Sequence, residues 1–159
     1  MLKFIAKGDV SEATTDAVLI CETDDFQPHC QGLMPAIIWQ RLKKLQENPK
    51  WVPGSIAVLK DLKTKKPLKL AFKGDLRVVF ANIRDEEGKI SYKSIRDVLT
   101  KLRDSHERLG VSTLSTVFPG VLSGRQFGVQ EGVVRSLLKN IFAEDNVGET
   151  SGFCLEAYE

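Results

Sequence analysis

Apolar and polar positions change period several times along this chain, and the changes divide it into elements. LKFIAKG at the start reads as a short strand ending at Gly8, and AVLICE as a second strand, apolar enough to be buried on both faces. The polar stretch DVSEATTD joins them. TDDFQPHCQG carries Pro28 and Gly32, which break any regular pattern, so it reads as loop. Over residues 34–45 the spacing of Ile37, Ile38, Arg41, Leu42 and Leu45 gives a helix one apolar and one polar face.

Pro53-Gly54 is a turn signal, and SIAVLK after it alternates as a strand. DLKTKKP is a lysine-rich connection. LKLAF and RVVFANI flank Lys73-Gly74-Asp75-Leu76, which reads as a hairpin turn. From 91 to 109 the spacing of Ile95, Val98, Leu99, Leu102 and Leu109 is helical, and Gly110 is placed to end that helix in a left-handed conformation. VSTLSTVF is a further strand, residues 130–142 a last helix, and GFCLEAY a final strand. Strands alternating with helices require crossover connections. The expected fold is therefore α/β, a central mixed, mostly parallel sheet with helices on both faces.

At 159 residues the chain is expected to form one domain over 1–159, large enough for a substantial core. Hydrophobic content of 42% and charged content of 28% are those of an ordinary globular protein. The net charge of +2 does not favour nucleic acid as a partner. Lysines cluster over 60–73, but acidic DEEGK and an acidic C-terminus offset them, so they read as solvated hairpin residues. Cys21, Cys30 and Cys154 form no close pair, which suits a reducing compartment, and zinc-ligand spacing is absent. Cys21 and Cys154 read as core residues, His106 as a solvated helix residue, and Trp39 and Trp51 as packing against the sheet. The N-terminus lacks the apolar core of a signal peptide, and no run approaches the ~20 apolar residues of a membrane span. The expectation is a soluble, cytoplasmic monomer without metal or cofactor.

Four glycines stand four residues apart in FPGVLSGRQFGVQEGVV, between a strand and a helix. Glycine there lets backbone N–H groups approach a phosphate, and a helix N-terminus adds partial positive charge. The spacing is neither GxGxxG nor GxxxxGK[ST], so the dinucleotide and Walker readings fail. Arg125, Gln126 and Gln130 exclude a GxxxG membrane contact. A flexible turn and an anion cradle remain as two readings of the loop itself.

Five segments in order resemble a macro domain, the α/β/α module that binds ADP-ribose. They are KFIAKGDV, PGSIAVLK, the strand RVVFANI, the helix ISYKSIRDVLTKLRDSHERLGV and the loop with helix FPGVLSGRQFGVQEGVVRSLL. They cover nearly the whole chain. The nearest likeness is to the branch of small standalone macro domains containing terminal ADP-ribose protein glycohydrolase. The resemblance implies a three-layer fold and a set of site residues. Asp9 would bind the adenine amino group, with Val10 supplying a backbone contact. A first diphosphate loop would run over 30–34, with Gln31, Gly32 and Leu33, although this chain keeps only one of the family's glycines there. The second would be Ser123, Gly124, Arg125, Gln126, Phe127 and Gly128, with Phe127 against a ribose and Arg125 toward phosphate. Asn82 would lie near the distal ribose.

Hydrolytic relatives carry residues that this sequence replaces. The Asn-rich strand end of many macro domains reads here Ile20-Cys21-Glu22-Thr23. The glycohydrolase branch pairs a lysine after the aromatic strand with an aspartate in the second loop. Ile83, beside Arg84, falls at the lysine and Gln126 at the aspartate. Neither isoleucine nor glutamine can supply that chemistry, and a guanidinium is no nucleophile. Asp24, Asp25 and His29 offer an alternative carboxylate–imidazole set, equally readable as polar loop residues. The functional expectation is ADP-ribose binding. The alternatives are a hydrolase acting on ADP-ribosylated macromolecules or ADP-ribose 1″-phosphate, and a macro fold kept for protein or nucleic-acid contact.

Overall fold

In the computed structural model, the structure describes residues 2–5, 15–21, 36–61, 63–69, 76–117, 131–142 and 154–158. They form six strands and three helices: β1 (Leu2–Ile5), β2 (Ala17–Cys21), α1 (Ala36–Glu47), β3 (Ile56–Val58), β4 (Arg77–Ala81), α2 (Tyr92–Leu109), β5 (Thr113–Val117), α3 (Glu131–Ile141) and β6 (Cys154–Tyr158). The strands make one sheet in the order β1-β6-β5-β2-β4-β3. Every pairing is parallel except that of the edge strand β3 with β4, so the sheet is mixed and mostly parallel.

Strand side chains alternate between two faces, and this alternation divides the core. Ala17, Leu19, Val79, Ala81, Leu114, Leu155 and Ala157 point to one face, where Ile95, Val98, Leu99 and Leu102 of α2 and Val134, Leu138 and Ile141 of α3 cover them. Val18, Ile20, Val78 and Phe80 point to the other, where Ile38 and Leu42 of α1 pack. The expected three-layer α/β/α arrangement is therefore present. Trp51, just past α1, lies flat on Phe80 with ring centroids 5.4 Å apart, as its expected packing role requires. The side chain of Trp39 lies outside the described residues.

The termini of α2 explain its length. Ser91 accepts the Ser94 N–H while the Ser94 hydroxyl accepts the Ser91 N–H, a reciprocal capping box. At the other end Gly110 adopts φ +72°, the left-handed conformation expected of it. His106 corrects the expectation of a solvated residue: it is buried, with Nδ1 2.9 Å from the Arg103 carbonyl. The reason is helical period. His106 stands four residues after Leu102 and three before Leu109, on the same apolar stripe. Arg103 donates through Nη1 to the Ile141 carbonyl at 2.9 Å and so joins α2 to the end of α3.

Cys21 is half-buried against the α2/α3 core, as its strand position predicts, and Cys154 is half-buried at the start of β6. Of the turn expected at Lys73-Gly74-Asp75-Leu76, all but the buried Leu76 lies outside the described residues. Between β3 and β4 the Asp61 N–H donates to the Lys66 carbonyl and Lys60 bridges Pro67, which closes a turn, and Lys69 then bridges Arg77 of β4. Among the described residues, no helix is long and apolar enough to cross a membrane.

Candidate functional site

Five parallel strands bring their carboxyl ends to one edge of the sheet. Register fixes the alignment: Ile5 and Val117 both pair with Tyr158, and Cys21 pairs with Ala81. Every candidate residue of the sequence follows one of these ends. Asp9 and Val10 follow β1; Asp24, Asp25, His29, Gln31, Gly32 and Leu33 follow β2; Ser123, Gly124, Arg125, Gln126, Phe127 and Gly128 follow β5; Asn82 follows β4 directly. All except Asn82 lie outside the described residues.

The middle of this edge is a topological switch point. β2 and β5 are neighbours, yet the chain leaving β2 goes to α1 on one face and the chain leaving β5 goes to α3 on the other. Connections that part in opposite directions open a crevice between the two strand ends, the usual ligand position in open α/β sheets. The two segments expected to hold a diphosphate leave from those two ends. From β1 to β4 the edge spans four strand spacings, about 19 Å at ~4.8 Å each.

Asn82 is buried, and its surroundings show why it can hold a fixed position at the edge. Its backbone N–H donates to the Ser55 carbonyl at 2.8 Å and its carbonyl accepts the Gly54 N–H at 2.9 Å, extending the β3–β4 pairing by one residue. Its side-chain Oδ1 accepts the Arg84 N–H at 3.1 Å. That bond uses the acceptor end of the amide and leaves Nδ2 as the donor available to a ligand.

Ile83 and Arg84 then diverge. Ile83 is fully buried in the core with Ile90, Ile95 and Val98. Arg84 bridges back to Ile90 and donates through Nη1 to the Gly88 carbonyl at 3.2 Å. It lines a recess of about 530 Å³ with Gly54, Asp85, Glu87, Ser91 and Asp97, at the same edge beyond β4. Asp85 organises the floor of this segment by accepting the N–H groups of Glu87 and Lys89, both at 2.9 Å. Sequence reasoning passed over this recess. The acidic run DEEGK and the Ser91 cap are its only signals, and neither indicates a concavity. Among the described residues, no group of three or more His, Cys, Asp or Glu could hold a metal ion.

No family model matches the chain, and neither does any curated protein. Solved structures do match. The macrodomain of Thermus aquaticus DarG superposes with a TM-score of 0.66 at 15% identity, covering 100% of this chain and 98% of that one. An Oceanobacillus iheyensis macrodomain with MES bound gives 0.69 at 8% identity, over 99% and 82% of the two chains. Thermosipho africanus DarTG in complex with ADP-ribose gives 0.63 at 10% identity, over 99% of this chain and 42% of that chain. The protein has the macrodomain fold.

Proposed function

We propose that this chain, as one macro-like domain over 1–159, binds ADP-ribose or a close derivative along the carboxyl edge of its sheet. The observation that carries the reading is the switch point between β2 and β5, with both diphosphate-loop segments leaving from it. That one solved neighbour with this fold holds ADP-ribose supports the choice of ligand. In this reading Asp9, beyond β1, takes the adenine amino group. Backbone N–H groups within 30–34 and 123–128 take the diphosphate, and Asn82, beyond β4, donates its amide to the distal ribose. The order of the strands sets the order of these contacts along the ligand.

The reading is of a binder rather than a glycohydrolase. The position where the likeness calls for a lysine holds Ile83, an apolar side chain inside the core with no group able to attack or deprotonate. Isothermal titration calorimetry with ADP-ribose, AMP and NAD tests the proposal, with Asp9→Ala as control. Saturable ADP-ribose binding that is weakened at least tenfold by Asp9→Ala supports it. No heat with any ligand from folded protein overturns it, and leaves the fold serving a macromolecular contact instead.

A further inference from the structure

We infer that the α1 side of this protein is a docking surface for the phosphodiester backbone of nucleic acid. Residues 36–69 hold nine lysines and arginines against only Glu47 and Asp61, a net charge of +7 in a chain whose total is +2. The remainder of the chain is therefore net acidic. Among the described residues, the acidic run 85–87 lies beyond the carboxyl end of β4, whereas the lysine-bearing turn adjoins the amino end of that strand. Asp85, Glu87 and Asp97 line the recess beside the first turns of α2, and α2 covers the face of the sheet opposite to α1. The acidic run that offsets the lysines in the sequence does not offset them in space.

Two contacts gather the positive charges into one surface. Arg41 donates through Nε to the Lys60 carbonyl at 2.8 Å, so α1 is tied to the β3–β4 turn, and Lys44 stands one helical turn beyond it. Asp61 shapes the turn itself: its Oδ1 accepts the N–H groups of Lys63 and Thr64 at 2.8 and 2.9 Å, and its backbone N–H donates to the Lys66 carbonyl at 2.9 Å. The turn presents Lys63, Lys65 and Lys66, all exposed. The ion pairs among the described residues are Arg96–Asp97 and Arg103–Asp104, and none of these three lysines enters one.

Lys65 supplies an independent argument. It has φ +60°, the one non-glycine residue with positive φ among those described. Glycine or asparagine occupies that conformation with less strain. A lysine held there points to a use for its side chain rather than for its backbone. Ammonium groups act as point charges that engage phosphates without reading sequence, and duplex DNA offers one phosphate charge per ~1.7 Å of axis. A membrane would call for large apolar side chains among the lysines. Among the described side chains of this segment, Val52 is the exposed large hydrophobic residue.

The surface is separate from the ADP-ribose site. Lys69 bridges to Arg77 at the amino end of β4, whereas Asn82 follows its carboxyl end. The inference therefore stands independently of the proposed ligand.

The test is fluorescence anisotropy of the full chain with a mixed-sequence DNA of about 20 base pairs and its single strand, over roughly 50 to 200 mM salt. Vesicles containing phosphatidylserine form the comparison arm. Wild type should bind DNA with a log–log salt slope to which each neutralised phosphate contributes about 0.9 for duplex. Reversing Lys63, Lys65 and Lys66 together to glutamate should abolish binding. Lys65→Gly should weaken it several-fold and flatten the slope by about 0.9, while the melting temperature stays equal or rises because strain is relieved. The inference is overturned if wild type binds neither nucleic acid at the lowest salt, if Lys65→Gly binds as wild type does, or if only the vesicles bind.

Discussion

The side-chain carbonyl of Asn82 accepts the backbone N–H of Arg84 at 3.1 Å, just past the end of β4. It also leaves the amide nitrogen as the donor that the proposed ligand would take. Asn82→Ala should remove both roles: the Arg84 N–H loses its partner in a part-buried site, at a cost of about 1–3 kcal/mol. Urea unfolding should show it as a lower midpoint with an unchanged slope. Asn82→Asp keeps an acceptor for Arg84 but replaces the donor with a second acceptor. It should therefore lower ADP-ribose affinity by about tenfold relative to wild type, with a smaller stability loss than alanine causes. Equal affinity for the aspartate variant and wild type would remove Asn82 from the ligand contacts.

The elements of this fold were legible because their signals are local. Ile95, Val98, Leu99 and Leu102 repeat at helical spacing and are all buried, and Gly110 ends their helix in the conformation its position required. Strand pairing is a long-range property, and no spacing in the sequence places β2 between β4 and β5. The candidate site could be read as a list of segments but not as an edge, since Asn82 and the end of β1 are far apart in the chain and aligned only by the sheet. His106 shows the opposite failure. Its polar identity suggested solvent, while its place on the 102–109 stripe decided the matter. The lysines of 60–69 were legible as solvated hairpin residues, since Lys63, Lys65 and Lys66 stand exposed on a turn closed by the Lys60↔Pro67 bridge.

Asp61 gives the lysine-bearing turn a pH dependence. Its carboxyl sits below the ordinary value of 3.8, because the backbone N–H of Thr64 and then that of Lys63 favour the charged form, with the Lys63 ammonium adding the least. A folded-state value below the unfolded one means that the turn's stabilisation is complete above 3.8 and is lost as pH falls through the lower, folded value. Thermal unfolding of wild type and Asp61→Ala should therefore differ at neutral pH and converge under acid. A gap that holds constant through that range would show that the carboxylate does not organise the turn.

Ile83 and Arg84 are neighbours with opposite surroundings, and exchanging each for lysine separates fold from chemistry. Ile83→Lys forces an ammonium into a site with no solvent exposure, lined by Ile90, Ile95 and Val98. The variant should lose at least about 3 kcal/mol, or hold a neutral amine with a strongly depressed pKa. Arg84→Lys instead places the amine on the wall of the open recess, and should cost about 1 kcal/mol, from the lost Nη1 contact with the Gly88 carbonyl. Assay of both variants on an ADP-ribosylated peptide should find no hydrolysis from Ile83→Lys. Any gain of hydrolysis should come from Arg84→Lys, whose side chain reaches the edge where the distal ribose is proposed to lie. An Ile83→Lys protein as stable as wild type would refute the inward placement of residue 83, and with it the ground on which a binder is proposed over a glycohydrolase.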